Sequence, residues 1–198
     1  LNFSLKPYLD LVKTNDDYRR LWLAQVVSNF GDWFGLLAIY ALIQQYSDSE
    51  LLLGLIIVVK TLSLAFSSPF AGHITDRMNR RQLMIWCDII RAVVVLGFIL
   101  IVSFQLLWLA YLLMAVQMIF SAIFEPAKTS SIPNVTTDDE LVIANILSAA
   151  SWSIIFTTAM AIGGFATAWL GTDLVFLINS ATYLVSAIFI YRAVIPQT

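Results

Sequence analysis

Between Leu21 and Tyr191 the chain is a succession of apolar runs, each about 20 residues long and parted from the next by a short polar break. A run of that length crosses the hydrocarbon core of a bilayer as a helix, because only a helix pairs all its own backbone N–H and C=O groups away from water. The runs cover about 21–45, 51–71, 82–103, 107–124, 141–170 and 174–191. The reading is therefore an all-α membrane protein with six transmembrane helices, one domain over residues 1–198. The chain is 60% hydrophobic and 12% charged. A soluble domain is about 45–50% apolar and about 25% charged, so lipid must cover the excess.

The basic residues orient the spans. Lys6, Lys13, Arg19 and Arg20 precede the first span, Arg77, Arg80 and Arg81 follow the second, Lys128 follows the fourth and Arg192 follows the sixth. The breaks after the first, third and fifth spans hold no Lys or Arg, while Asp48 and Glu50 lie in one and Asp173 in another. The positive-inside rule then puts both termini in the cytoplasm. Trp22, Tyr46, Trp108, Tyr111, Trp169 and Tyr191 flank the spans as interfacial anchors. The longest internal loop is expected at about 125–140, with Pro126 breaking the fourth helix and Thr137 opening the next in a capping box with Glu140.

Charges inside a span are costly and point to function. Asp32 lies about 17 Å into the first span and Lys60 about 14 Å into the second, at 1.5 Å per residue. These helices run antiparallel, so the two residues share a depth and an ion pair between them is geometrically open. Gln25, Asn29 and Asp32 share one helix face, and Tyr40 falls near it two turns on. Such a polar stripe implies either a water-filled cavity or a seam between helices. Gln117, Ser121 and Glu125 form a second stripe, and Glu125 is placed to meet Arg77 or Arg80. Asp88 and Arg91, three apart, can satisfy each other within one helix, and Asp88 also lies near the basic loop. Ser28, Gly31 and Gly35, and again Ala159, Gly163, Gly164 and Ala166, suit close helix packing. Asn179 reads as a local hydrogen-bonding group.

Several classes drop out. Cys87 is the single cysteine and His73 the single histidine, so Cys- or His-based metal sites lack partners. No Gly-x-Ser-x-Gly, His-Glu-x-x-His or P-loop pattern occurs, which leaves an enzyme without support. No nucleic-acid-binding feature stands out.

The stretch Gly72-x-x-x-Asp76-Arg77-x-x-Arg80-Arg81, placed after the second span, resembles the signature loop of the major facilitator superfamily. With six spans and cytoplasmic termini the chain looks like the N-terminal half of such a transporter, a 3+3 inverted repeat. Ser28-Asn29-Phe30-Gly31-Asp32-Trp33, Pro126-Ala127, Pro133 and Ala144-Asn145 are similar to its drug and macrolide exporter branch. The resemblance implies that Gly72 ends the second helix tightly and that Asp76, Arg77, Arg80 and Arg81 form a cytoplasmic gating latch, to which the spacing adds Glu125 as a candidate partner. It further implies a multi-pass protein of the bacterial inner membrane that exports amphipathic small molecules by alternating access. The drive is then a proton or other ion gradient, with no cofactor. Asp32 would carry the proton, with Lys60, Gln25, Asn29, Tyr40 and Gln117 lining the cavity around it. The chain departs from the pattern at Asn79, where the loop often has glycine, and at Ala159-Met160, where the antiporter motif has Gly-Pro. Its partners would be lipid, substrate, and a C-terminal six-helix half or a second copy of itself. Three other readings are a homodimer of half-transporters, the membrane domain of an ATP-driven transporter and a nontransporting membrane scaffold.

Overall fold

A computed structural model describes residues 5–196 except residue 105, and of 102–104 only the backbone. The described residues form six helices: α1 (Lys6–Thr14), α2 (Asp16–Tyr46), α3 (Glu50–Arg77), α4 (Arg80–Phe104), α5 (Leu107–Val135) and α6 (Asp138–Arg192). All but α1 are long and apolar enough to cross a membrane. The last is 55 residues long and is interrupted at Gly171, whose φ of 79° is left-handed and open to glycine without strain. That break falls where the sequence parts its last two apolar runs.

Local chemistry fixes the helix starts. Asn15 caps α2 by accepting from the Tyr18 N–H at 3.0 Å. Asn79 does the same for α4, accepting from the Gln82 N–H at 3.0 Å. The Thr137 N–H donates to Glu140 Oε2 at 3.0 Å, as the expected capping box requires.

The helices overrun their expected ends at the charged pole of the bundle. α3 continues through Gly72 to Arg77, so the basic stretch is mostly helix and only Met78 and Asn79 lie between α3 and α4. Gly72 therefore does not end the helix; Met78, in extended conformation, does. α5 likewise runs through Pro126 and Pro133, and the expected long loop shrinks to Thr136 and Thr137. A proline inside a helix costs about 3 kcal/mol. Here the turn is held from several sides. Ala127, Ser131 and Ile132 are buried. The hydroxyls of Thr129, Ser130 and Ser131 bond back to the carbonyls of Glu125, Pro126 and Ala127 at 2.9, 2.6 and 2.6 Å. Arg80 also reaches across from α4 to donate to the Ser130 carbonyl at 2.8 Å.

The tightest packing is α2 on α6. A Cβ on Gly163 of α6 would lie 2.6 Å from the Phe34 carbonyl oxygen of α2, so the two backbones touch there. From the other side, Asn179 and Thr182 of α6 fill the notches left by Gly31 and Gly35 of α2. α4 packs on α5 and α6, and α3 mainly on α5. α3 is the least covered helix: only Ile56, Ala71 and Thr75 are buried on it. Leu51, Ile57, Val58, Phe66 and Phe70 stand exposed along it, as do Ile154, Ile162, Phe165 and Trp169 on α6. Cys87 is buried in the apolar cluster at the charged pole.

Candidate functional site

A cavity of about 570 Å³ opens between α2, α3, α5 and α6. It runs from Ile39 and Lys60 at one end to Gly72, Glu125 and Pro126 at the other. Its wall combines two materials. One is apolar and aromatic: Trp33 and Trp152 line it, and Trp33 meets Trp152 and Phe156 edge to face at 5.9 and 4.6 Å between ring centres. The other is a chain of buried polar groups that begins at the cavity and passes inward.

Arg91 is the centre of that chain. It projects from α4, is 2% exposed, and its guanidinium pairs with Asp88 one turn earlier on the same helix. It also donates to Ser28 Oγ at 3.2 Å and Ser121 Oγ at 3.4 Å, and Asp32 Oδ2 lies 3.7 Å away. Its face sits over the rings of Phe124 and Tyr183, 4.4 and 4.5 Å from their centres. Asp88 takes a further bond from Ser186 Oγ at 2.6 Å. A buried charge persists only when paired and hydrogen-bonded, and here α2, α5 and α6 supply the partners of the α4 pair.

Asp32 is the outer member. Its second carboxylate oxygen accepts a hydrogen bond from the Tyr183 hydroxyl, which itself accepts from Gln117 Nε2 at 2.8 Å. At 24% exposure against 0% for Asp88, it is the carboxylate of this group that the cavity reaches. One guanidinium between two carboxylates leaves a single negative charge in surplus. The balancing positive charge is Lys60, which lines the same cavity from α3 with its ammonium 4.4 Å above the Trp33 ring.

The expected pairings are therefore redistributed. Asp32 takes Arg91 rather than Lys60, because α4 brings a longer, forked donor to it from behind. Glu125 meets Lys128 on its own helix at 2.7 Å rather than Arg77 or Arg80, because α5 continues as helix and puts them one turn apart. Asp88 faces inward to Arg91 and Ser186, away from the basic stretch. The Asp88–Arg91 pair within α4 stands as the spacing indicated.

Of the expected cavity residues, Asn29, Asp32, Lys60 and Gln117 come together, joined by Gly72 and Glu125 at the charged end. Gln25 is buried away from them, donating to the Ser148 carbonyl at 3.2 Å, and Tyr40 borders a separate hollow near Gly164 and Gly171. Arg80 and Arg81 tie helix ends together: Arg81 donates to the carbonyls of Ile190 (3.3 Å) and Tyr191 and stacks on the Tyr191 ring. Asp76 and Arg77 are exposed.

Sequence reasoning missed Tyr183, which reads as one more aromatic in an apolar run. It also missed Ser28, Ser121 and Ser186 as a hydroxyl set around Arg91 and Asp88. The sequence reads Asn179 as a local hydrogen-bonding group. It is 1% exposed and borders the cavity, and its Oδ1 has no partner among the described residues. The same holds for Asn29 Nδ2 and Gln117 Oε1. Unpaired buried polar atoms beside a cavity are groups with capacity for a ligand or water.

Comparison with known proteins gives a consistent frame. The sequence profile of the Major Facilitator Superfamily matches residues 21–198. A protein named putative bacilysin exporter BacE, from Bacillus subtilis (strain 168), is 32% identical over 183 residues, 91% of this chain and 44% of that protein. The uncharacterized MFS-type transporter YfiS of the same organism is 29% identical over 177 residues, 86% of this chain and 40% of its own length. The lysophospholipid transporter LplT of Photorhabdus laumondii is 33% identical over 150 residues, 74% of this chain and 35% of its own. The chain thus spans less than half the length of these curated relatives.

Proposed function

The chain belongs to the major facilitator superfamily, and from that premise we propose that it is the six-span half of a secondary active exporter of amphipathic small molecules. In this reading α6 is two spans joined at Gly171, both termini are cytoplasmic, and the protein sits in the bacterial inner membrane. The other wall of the cavity is a second six-helix half. The length of the relatives favours that half over a second copy of this chain. The uncovered apolar flanks of α3 and α6 supply surface for it.

The observation that carries the proposal is the placement of Asp32. It is the one carboxylate of the buried charge group that opens to the cavity, and it is held between Arg91 and the Tyr183 hydroxyl. A proton taken up there changes the balance of the whole group, and with it the packing of α2 against α4 and α6. That is the coupling alternating access requires, a site whose charge state biases two arrangements of the helices. The name of LplT, a lysophospholipid transporter, supports an amphipathic cargo, and that of BacE, an exporter, supports the outward direction. The test is efflux from proteoliposomes with an imposed proton gradient, then with the gradient collapsed. Transport that ignores the gradient, or an Asp32→Asn variant that couples normally, overturns the proton role.

A further inference from the structure

The transporter reading leaves the cargo's chemistry open, and the charges of the cavity wall narrow it. Asp32 and Lys60 line the same cavity from neighbouring helices, with Trp33 beside both. They carry opposite charges and do not pair with each other: Asp32 meets Arg91 and Tyr183, while Lys60 rests on an indole face and has no carboxylate partner among the described residues. Two opposite, unjoined charges on one wall form a dipole. An anion alone would meet Asp32 unfavourably and a cation alone would meet Lys60, while an uncharged ligand would strip water from both without replacement. A ligand with both poles satisfies the pair and keeps the wall neutral.

We propose that the cavity binds a zwitterionic amphiphile. Its ammonium meets Asp32 and its carboxylate or phosphate meets Lys60. The orphaned Asn29 amide N–H and Gln117 carbonyl offer additional polar contacts, and the apolar body lies on Trp33 and Trp152. This rests on the transporter reading for the cavity's role, but binding needs no gradient and is measurable without transport.

The test uses purified protein in nanodiscs and three small probes with one body: leucyl-phenylalanine, its N-acetyl form and its C-terminal amide. These are zwitterion, anion and cation. The expected order is zwitterion tightest, by about fivefold or more over either singly charged form. Lys60→Gln should shift the preference to the cation and Asp32→Asn to the anion, while Lys60→Arg keeps the zwitterion preference. Thermal unfolding of each variant reports whether it is folded. Equal affinity for all three probes on the unaltered protein overturns the proposal, as does a uniform loss in both variants. Zwitterion binding without gradient-driven efflux would instead overturn the coupling mechanism and leave this inference standing.

Discussion

The Tyr183 hydroxyl of α6 donates a hydrogen bond to the Asp32 carboxylate of α2, across the tightest helix interface of the bundle. The same hydroxyl accepts from Gln117 of α5 at 2.8 Å. A single phenol therefore links the exposed end of the buried charge group to two other helices.

Removing that hydroxyl separates coupling from folding. Tyr183→Phe keeps the ring under Arg91 and deletes two hydrogen bonds, one to the charged Asp32 carboxylate worth about 1.5–3 kcal/mol and one from the neutral Gln117 amide worth about 0.5–1.5 kcal/mol. The folded protein should persist with a lowered melting temperature. In the proposed mechanism, proton-driven transport should fall by about tenfold, since Asp32 loses one of the two groups that hold it. A transport profile in vesicles that superimposes on that of the parent protein would exclude this role.

Arg91 and Asp88 make a sharper stability test. Arg91→Met leaves Asp88 buried without its counter-ion, a defect of about 3–5 kcal/mol. Adding Asp88→Asn removes the stranded charge, so the double variant should melt well above the single one. Differential scanning fluorimetry in detergent reads the difference. If the double variant is no more stable than Arg91→Met alone, the pair is not the unit described above.

Much of this was legible in the sequence, and most of the failures share a cause. Apolar run length found the long helices, because bilayer thickness sets it. The i, i+3 spacing found Asp88–Arg91, because one helix contains the whole relationship. Most of what failed needed a second helix. Pro126 reads as a helix breaker until Ser130 is seen bonded to Arg80 of α4. Asp32 and Lys60 share a depth, yet α4 brings Arg91 to Asp32 first. Tyr183 looks like any aromatic until α2 supplies its acceptor.

The glycines separate close packing from motion. Gly163→Ala drives a methyl toward the Phe34 backbone, 2.6 Å from its carbonyl oxygen, and backbone cannot rotate aside. It should cost about 1–3 kcal/mol, as overpacking does, and lower both expression and melting temperature. Gly72→Ala meets nothing within 4 Å and lies inside a helix, where alanine is favoured by up to about 1 kcal/mol. It should be stable or stabilised. If Gly72→Ala nevertheless slows transport, the added methyl obstructs a conformation other than this one.

Asp76 provides the parallel test at the charged end. It is exposed in the last turn of α3, with no hydrogen bond or ion pair among the described residues. A surface carboxylate of that kind contributes within about 0.5 kcal/mol to stability. Its charge is also poorly placed, since an anion near a helix C-terminus is repelled by the helix dipole. Asp76→Asn should therefore leave melting unchanged or slightly raised. If its job is to close a latch against another part of the transporter, turnover should still drop several-fold in everted vesicles while the amount of protein in the membrane stays constant. Unaltered turnover would mean that the charge has no partner there, and the gating role would pass to Arg80 and Arg81, which already bind helix ends within this chain.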